Sequence, residues 1–598
     1  MDLSKLYDLR QNFIVIGLTG RVGAGCTTIA DIFASETFES AEFPEPELNF
    51  TKVGDDNNNR KYKIAYNFLK ENWERFYKLK YSKVLSLIVF KQKLESIDIL
   101  LDKVSFNFKL LDLSKEKEAL LKLKDETDFT FNDKDDLTNL KQAENYDLFE
   151  SDKLYEFHLK FDEALKSVNL INKIKILHTI CNNQRYGGCY FCEEDPTMES
   201  IYSIAEEINS IIKGYRQKNG KKCKVIIDSI RNPLEIMYFK ERFAAYYTLA
   251  VNPEEEIKEE QLQEKYGTDE LLDEIKKIDI LEYGDKIKKE DFFKQNIQKC
   301  IEKADLHLSF LNNSKSKNQG QTYPFDIKQQ IVLFYSLMLQ PGIITPTKQE
   351  RCMQIAYTAK YNSGCISRQV GAVIADEYYS VKSIGWNNTP EGHVPCVLRN
   401  SDDLLNDKDN FAFSRYEKDS KQDFQKEFKQ HFENINKRDL KGHNCSYCFK
   451  DIQNSITEGK NQVHTRSLHA EENAMLQISK YGGQAIKNGI LFTTASPCEL
   501  CSKKAFQLGV SKIYYIDPYP GIAISHILEC GDGEAKITPK LFRFTGAIGR
   551  AYHKLYEPFM AYKDEIYIRT NTNIKNKLKK LEDKIAELEQ QINGQQIK

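Results

Sequence analysis

The sequence predicts an α/β protein of two domains with a short helical tail, and three observations carry that prediction. An apolar strand, NFIVIGLTG, runs into a glycine-rich turn and then a helix from about Thr27. Far downstream, two segments rich in metal-ligating residues, at His469 and at Cys498, flank a second apolar strand, ILFTTA. Beyond Arg569 apolar residues recur at alternating four- and three-residue steps. A chain of 598 residues is also too long for one ordinary core.

Taken in order, residues 1–325 read as the first domain, interrupted by a charged insertion at about 45–175. Within it, residues 123–155 are so polar and acidic that an exposed insertion or mobile loop is expected. KVIIDSI near Asp228 and ADLHLSFL near Asp305 resume the strand–helix alternation of a parallel sheet with helical crossovers. The stretch from Asn312 to Pro324 has linker composition, so a second domain is placed at 326–568, starting near Lys328, with its own charged insertion at about 401–460. In the tail, 569–598, the residues Ile574, Leu578, Leu581, Ile585, Leu588 and Ile592 form an a/d seam. A helix packed on its own domain is one reading. A short coiled coil joining protomers is favoured, because the other faces are densely charged, and a homo-oligomer is expected.

Lys plus Arg total 86 against 88 Asp plus Glu, a net charge of −2 that leaves no global footprint for wrapping a nucleic acid, although a local basic groove stays open. The start MDLSKLYDLRQNF lacks the pattern of a signal peptide, and no apolar run reaches membrane-spanning length, so a cytoplasmic protein without membrane contact is expected. The 14 Cys are then expected as thiols, with C-x-x-C spacings read as metal sites.

His469-Ala470-Glu471, followed by ILFTTA and Ser496-Pro497-Cys498-Glu499-Leu500-Cys501, spells H-x-E and then P-C-x-x-C. One imidazole and two thiolates suit a tetrahedral Zn2+ whose fourth position stays open for water, the mark of a catalytic rather than a structural zinc. Both halves fall at helix starts, with Pro497 suited to a first helical position, and a helix N-terminus favours thiolates. Glu471 is placed to reach the zinc water and to shuttle its proton.

With these motifs the segment resembles the cytidine deaminase superfamily, and specifically the deoxycytidylate deaminases. The likeness extends upstream through MQIAYTAKYNSGCISRQVGAVIADEYYSVKSIGWNNTPEG and downstream to VSKIYYID with Pro518-Tyr519. It implies a three-layer α/β/α domain, with Asn387 contacting the sugar of a deoxycytidine nucleotide and Tyr519 lining its pocket. Arg368 is a weaker candidate for the phosphate, a structural salt bridge being the alternative. Cys365, Cys396, Cys445 and Cys448, the last two in HNCSYCFK, could close a second, structural zinc site, with His393 or His443 substituting for one Cys. Some deoxycytidylate deaminases hold such a zinc with Cys at the places of Cys365 and Cys396; ordinary buried thiols are the other reading.

In the first domain, Gly20-Arg21-Val22-Gly23-Ala24-Gly25-Cys26-Thr27 resembles a Walker A loop, after a strand and before a helix as that motif requires. Cys26 stands where the phosphate-binding Lys belongs. The loop, Thr28 and Asp228 are expected to hold a nucleotide with Mg2+ without efficient phosphoryl transfer, in a P-loop nucleotide-kinase-like domain. Ser229-Ile230-Arg231-Asn232-Pro233 looks like a segment of deoxynucleoside monophosphate kinases. A tight structural corner is the alternative. His178, Cys181, Cys189 and Cys192 are too cramped for a zinc site and are read as ordinary side chains.

The two halves together resemble the bacterial anti-phage deoxycytidine nucleotide deaminases over nearly the whole chain. That resemblance implies conversion of dCTP and dCMP to dUTP and dUMP, with the N-terminal domain restraining or triggering it, an organisation that admits a regulatory RNA or inhibitor as partner. The alternatives are a cytosine deaminase acting on RNA or single-stranded DNA, which needs a basic, aromatic groove, a housekeeping dCMP deaminase of pyrimidine metabolism, and a P-loop sensor with a vestigial deaminase.

Overall fold

The computed structural model describes residues 4–47, 56–91, 101, 114, 118, 141–166, 170–188, 198–253, 255–267, 269–282, 292–310, 324–459, 462–482, 485–517, 522–528, 539–570 and 574–595. Five strands, β1 (Phe13–Gly20), β2 (Tyr77–Lys80), β3 (Cys223–Asp228), β4 (Tyr246–Val251) and β5 (Leu306–Leu308), form a parallel sheet in the order β5-β4-β1-β3-β2. Central β1 is buried almost throughout, as an apolar strand covered on both faces must be. Alternate residues feed different cores. Val15 packs with Val225, Leu85 and Ile208, while Ile14 and Ile16 pack with Ile29, Phe33 and Tyr335 on the opposite face.

The expected exposed insertion at 123–155 is corrected where the structure describes it. Residues from Gln142 form helices Gln142–Glu150 and Asp152–Lys166, and Phe149, Leu154, Phe157, Phe161 and Leu165 lie in the sheet's core. The last four recur at three- and four-residue steps, a helical stripe that the surrounding acidic residues obscure in the sequence. Residues 123–140 lie outside the described residues, as does the linker up to Pro324.

The second sheet holds β6 (Gly371–Ala375), β7 (Val381–Trp386), β8 (Ile490–Ala495), β9 (Lys512–Asp517) and β10 (Lys540–Arg543), in the order β10-β9-β8-β6-β7. β6 runs antiparallel to both neighbours, and β8, β9 and β10 run parallel to one another. Helix Lys348–Ala359 covers one face through Cys352, Met353 and Ala356. Helices Ala470–Tyr481 and Glu499–Gln507 cover the other through Ala470, Ala474 and Ala505, small residues that let helix and sheet approach closely.

Packing does not stop at residue 325. Helix Ile327–Leu339 places Ile331, Val332 and Tyr335 in the core of the first sheet, and β11 (Gly546–Ala547) adds to that sheet antiparallel to β5. The insertion at 401–460 folds around its own cluster of Leu404, Phe413, Phe424, Phe428, Tyr447 and Ile452. There the fully buried Arg399 guanidinium pairs with Glu417 and Tyr447 and sits 4.9 Å from the Phe413 ring. The tail is helix Ile574–Gln595, and Leu578, Leu581, Ile585, Leu588 and Ile592 are all at least half exposed, so the seam is not packed on its own domain. No helix among the described residues is long and apolar enough to cross a membrane.

Two features lead to predictions. At Gly385 in β7 a Cβ would lie 2.2 Å from the Ala470 carbonyl oxygen and 2.5 Å from the Ala474 nitrogen, both backbone atoms. Gly385→Ala is therefore expected to push helix Ala470–Tyr481 off the sheet at a cost of roughly 1–3 kcal/mol. Hydrogen exchange would show this as lost amide protection in that helix, and unchanged protection would contradict the close approach.

His307 in β5 is fully buried opposite Gly546, and burial, then Lys240 and Lys360, pushes its pKa down to about 3. The folded protein keeps the ring neutral while the unfolded chain takes up a proton near the ordinary histidine value. The stability this gives is complete above about pH 6.5 and is lost progressively below it, by at most about 1.4 kcal/mol per pH unit. Amide protection around β5 and β11 should fall between pH 7 and pH 5, and less steeply in His307→Asn; equal slopes would refute the assignment.

Candidate active site

The two metal-ligating segments meet because two helices begin side by side on one face of the second sheet. His469 is the N-cap of helix Ala470–Tyr481 and makes no side-chain capping bond, so its imidazole is directed elsewhere. β8 delivers the chain to Cys498, the N-cap of helix Glu499–Gln507, and Cys501 lies in that helix's first turn. Pro497 precedes the N-cap rather than opening the helix. His469 Nδ1 lies 3.2 Å from Cys498 Sγ and 3.5 Å from Cys501 Sγ. A tetrahedral zinc with ordinary bond lengths separates nitrogen and sulfur ligands by roughly 3.5 Å, so the donor set fits Zn2+.

The local electrostatics favour one thiolate, on Cys498, with protons kept on its neighbours. A hydrogen bond from Cys501, opposed by burial and aided by His469, brings the Cys498 thiol down to about 4, and the same hydrogen bond pushes Cys501 up. The bond to Cys498 raises His469. The three groups thus share protons around the point where a cation would replace them.

Glu471 is buried beside this set, and burial raises its carboxyl above the usual range. The Thr493 hydroxyl in β8 lies 3.0 Å from Glu471 Oε1 and 2.8 Å from the Ala495 carbonyl oxygen. The sequence reading does not single out Thr493; its signal is a pair of threonines, Thr493 and Thr494, inside an otherwise apolar buried strand. A cavity of about 140 Å³ opens over Glu471, His469 and Cys498.

The other expected residues divide. Asn387 lines this cavity, but its amide also accepts from the Val370 N–H at 2.7 Å and donates to the Arg368 carbonyl at 2.6 Å, bracing the loop ahead of β6. Arg368 lines the cavity too, yet its guanidinium is ion-paired with the fully buried Asp517, which also accepts from Gln298 at 3.1 Å. Tyr519 lies outside the described residues.

The four-thiolate site is corrected. Among the described residues, His469, Cys498 and Cys501 form the one group of three or more potential ligands within 4.8 Å of one another. Cys365 and Cys448 line the cavity over Glu471, Cys396 is buried in the turn Cys396–Leu398, and Cys445 does not complete a set with them. His393 and His443 are exposed. The insertion is organised by aromatic stacking and the Arg399–Glu417 pair, which need no metal.

In the N-terminal half, Gly23 and Gly25 adopt φ of 79° and 89°, left-handed values that only glycine takes without strain, and helix Cys26–Phe33 follows. Loop residues 21–28 line a cavity of about 870 Å³ with Lys173, His178, Asp228 and Arg231. At Gly20 a Cβ would lie 2.8 Å from the Val251 carbonyl oxygen. Thr27 Oγ1 lies 3.4 Å from Asp228, and Lys78 lies 3.8 Å from the same carboxylate. Burial, reinforced by Asp228, pushes the Cys26 thiol up to about 12, so it stays neutral and does not supply the charge a lysine would. His178 pairs with Glu282 at 2.6 Å; burial would raise Glu282, yet Arg231 and His178 hold it at about 2. Cys181 is a buried thiol, and Cys189 and Cys192 lie outside the described residues.

Residues 346–517 match the family described as the cytidine and deoxycytidylate deaminase zinc-binding region. The deoxycytidylate deaminase of Enterobacteria phage T4 is 29% identical over 175 residues, covering 29% of this chain and 79% of that protein. The deoxycytidylate deaminase of Saccharomyces cerevisiae is 25% identical over 234 residues, 39% of this chain and 57% of that protein. The dCMP deaminase of cyanophage S-TIM5, solved with dCMP and dUMP, is 21% identical over 34% of this chain and 99% of its own, with a TM-score of 0.20. Residues 346–517 are therefore similar to the cytidine and deoxycytidylate deaminase zinc-binding region, and to deoxycytidylate deaminases over most of the phage protein's length.

Proposed function

We propose that the protein hydrolyses the amino group of deoxycytidine nucleotides, taking dCMP and dCTP to dUMP and dUTP, with Zn2+ held by His469, Cys498 and Cys501. The observation that carries this reading is an open three-donor set with a buried carboxylate, Glu471, two residues from one donor. The deoxycytidylate deaminase relatives support dCMP deamination in general.

The reaction consumes water and releases ammonia: a C–O bond forms at C4 of the ring and the C–N bond to the amino group breaks. Zn2+, when bound, supplies a water acidified to near neutrality. Glu471 accepts a proton, passes it to the ring nitrogen, and serves the departing amino group in the same way. The Thr493 hydroxyl anchors Oε1 and so orients the carboxylate. The cavity is far smaller than the ~300–1,000 Å³ of ordinary ligand pockets, so it takes a base-sized group and leaves the rest of the nucleotide at its rim.

The larger N-terminal cavity takes a nucleotide, with Mg2+ near Thr27 and Asp228, and does not transfer phosphate efficiently because Cys26 is neutral. The exposed seam of the tail joins protomers as a coiled coil. Loss of dCTP and dCMP deprives a replicating phage of cytosine deoxynucleotides, and the resemblance to anti-phage deaminases supports that role.

Purified full-length protein incubated with dCMP, dCTP, CTP and cytosine-containing oligonucleotides should yield uracil from the free deoxynucleotides. Uracil in the oligonucleotides alone would replace the reading with nucleic-acid editing. Glu471→Gln should retain zinc and lose about 10²–10⁴-fold in turnover, whereas Cys498→Ala should lose the metal. An active Glu471→Gln would remove that residue from the proton path.

A further inference from the structure

The insertion forms part of the catalytic cavity. Helix Phe449–Ile456 is capped by Cys448, and both Cys448 and Lys450 line the cavity together with Ser367, Arg368 and Asn387. The helix is held in place from within the insertion: Phe449 stacks on Phe424 at 4.9 Å, and Ile452 is buried in the same cluster. Its first turn is therefore a fixed wall.

Two long cations reach the cavity, and they differ in what neutralises them. Arg368 is paired with Asp517, whose side chain is 0% exposed. The Lys450 side chain is 19% exposed, and its ammonium has Asp451 as counter-charge at 4.0 Å, a residue whose side chain is 68% exposed and mostly hydrated. The Asp451 partnership is correspondingly weak. Lys450 also lies in the first turn of a helix, where a cation opposes the macrodipole and an anion is favoured. Asp451 already serves the macrodipole in the same turn, so helix stability does not call for a lysine there, whereas an anion arriving in the cavity would gain from the ammonium.

We infer that Lys450 binds the phosphate of the nucleotide substrate at the rim of the catalytic cavity, so that the insertion sets the preference for nucleotide over nucleoside. This rests on the proposed deamination of deoxycytidine nucleotides. The base occupies the small cavity over Glu471, and the phosphate meets Lys450 on the wall that the insertion supplies. Arg368 stays engaged with Asp517 and braces the loop.

The test compares full-length wild type, Lys450→Ala and Lys450→Arg on dCMP and on deoxycytidine, with zinc content and thermal midpoint as controls on folding. Calorimetric titration with dUMP adds a readout that needs no turnover. Lys450→Ala should raise KM for dCMP about tenfold relative to deoxycytidine, with kcat for dCMP much less affected, and should weaken dUMP binding by a similar factor. Lys450→Arg should restore most of both. Equal losses on dCMP and deoxycytidine, or an unchanged dUMP affinity, would overturn the inference and leave the deaminase reading standing. Absence of dCMP deamination by wild type, with dUMP binding still dependent on Lys450, would instead sink the reaction and keep the phosphate site.

Discussion

The catalytic centre depends on the close approach of helix Ala470–Tyr481 to the second sheet. His469 and Glu471 come from the start of that helix, whereas Cys498, Cys501 and Thr493 come from β8 and the helix after it. The distances between these groups are set by how deeply each helix seats on the strands. Gly385, Ala470, Ala474 and Ala505 make that seating possible by offering no bulk between backbone and backbone. Burying two sulfurs, an imidazole and a carboxyl together is unfavourable unless each is paired. The helix N-termini, the shared protons and the Thr493 hydroxyl offset much of that cost before any metal binds.

The two sheets are not independent bodies strung on a linker. Helix Ile327–Leu339 fills the core of the first sheet although it precedes the second, and β11 returns from beyond the second sheet to pair with β5. A polar contact runs beside these apolar ones. Gln298, in the short helix Ile297–Glu302, bonds the same Asp517 carboxylate that holds Arg368 at the catalytic cavity. The large N-terminal cavity and the small catalytic one are thus set in one continuous packing.

The insertion between β7 and β8 is organised by its aromatic residues. A C-x-x-C turn is a strong local signal for a metal, but a site needs four donors at one point. Around Cys445 and Cys448 the chain is organised instead by stacked phenylalanines and a buried arginine held between aromatic rings. That hydrophobic organisation turns Cys448 and Lys450 toward the catalytic cavity.

Features legible in the sequence are those written in short spacing. H-x-E and P-C-x-x-C name the three donors and the buried carboxylate, because ligand and proton carrier must sit at fixed offsets from helix starts. The strand, the glycine turn with its left-handed residues and the following helix were equally local. Tertiary structure alone decided that Arg368 spends its charge on Asp517, that Thr493 faces Glu471, that no three of Cys365, Cys396, Cys445 and Cys448 gather at one point, and that acidic residues 142–166 pack a core face. Each of these joins residues distant in the chain, and local periodicity carries no record of which distant partner a side chain will meet.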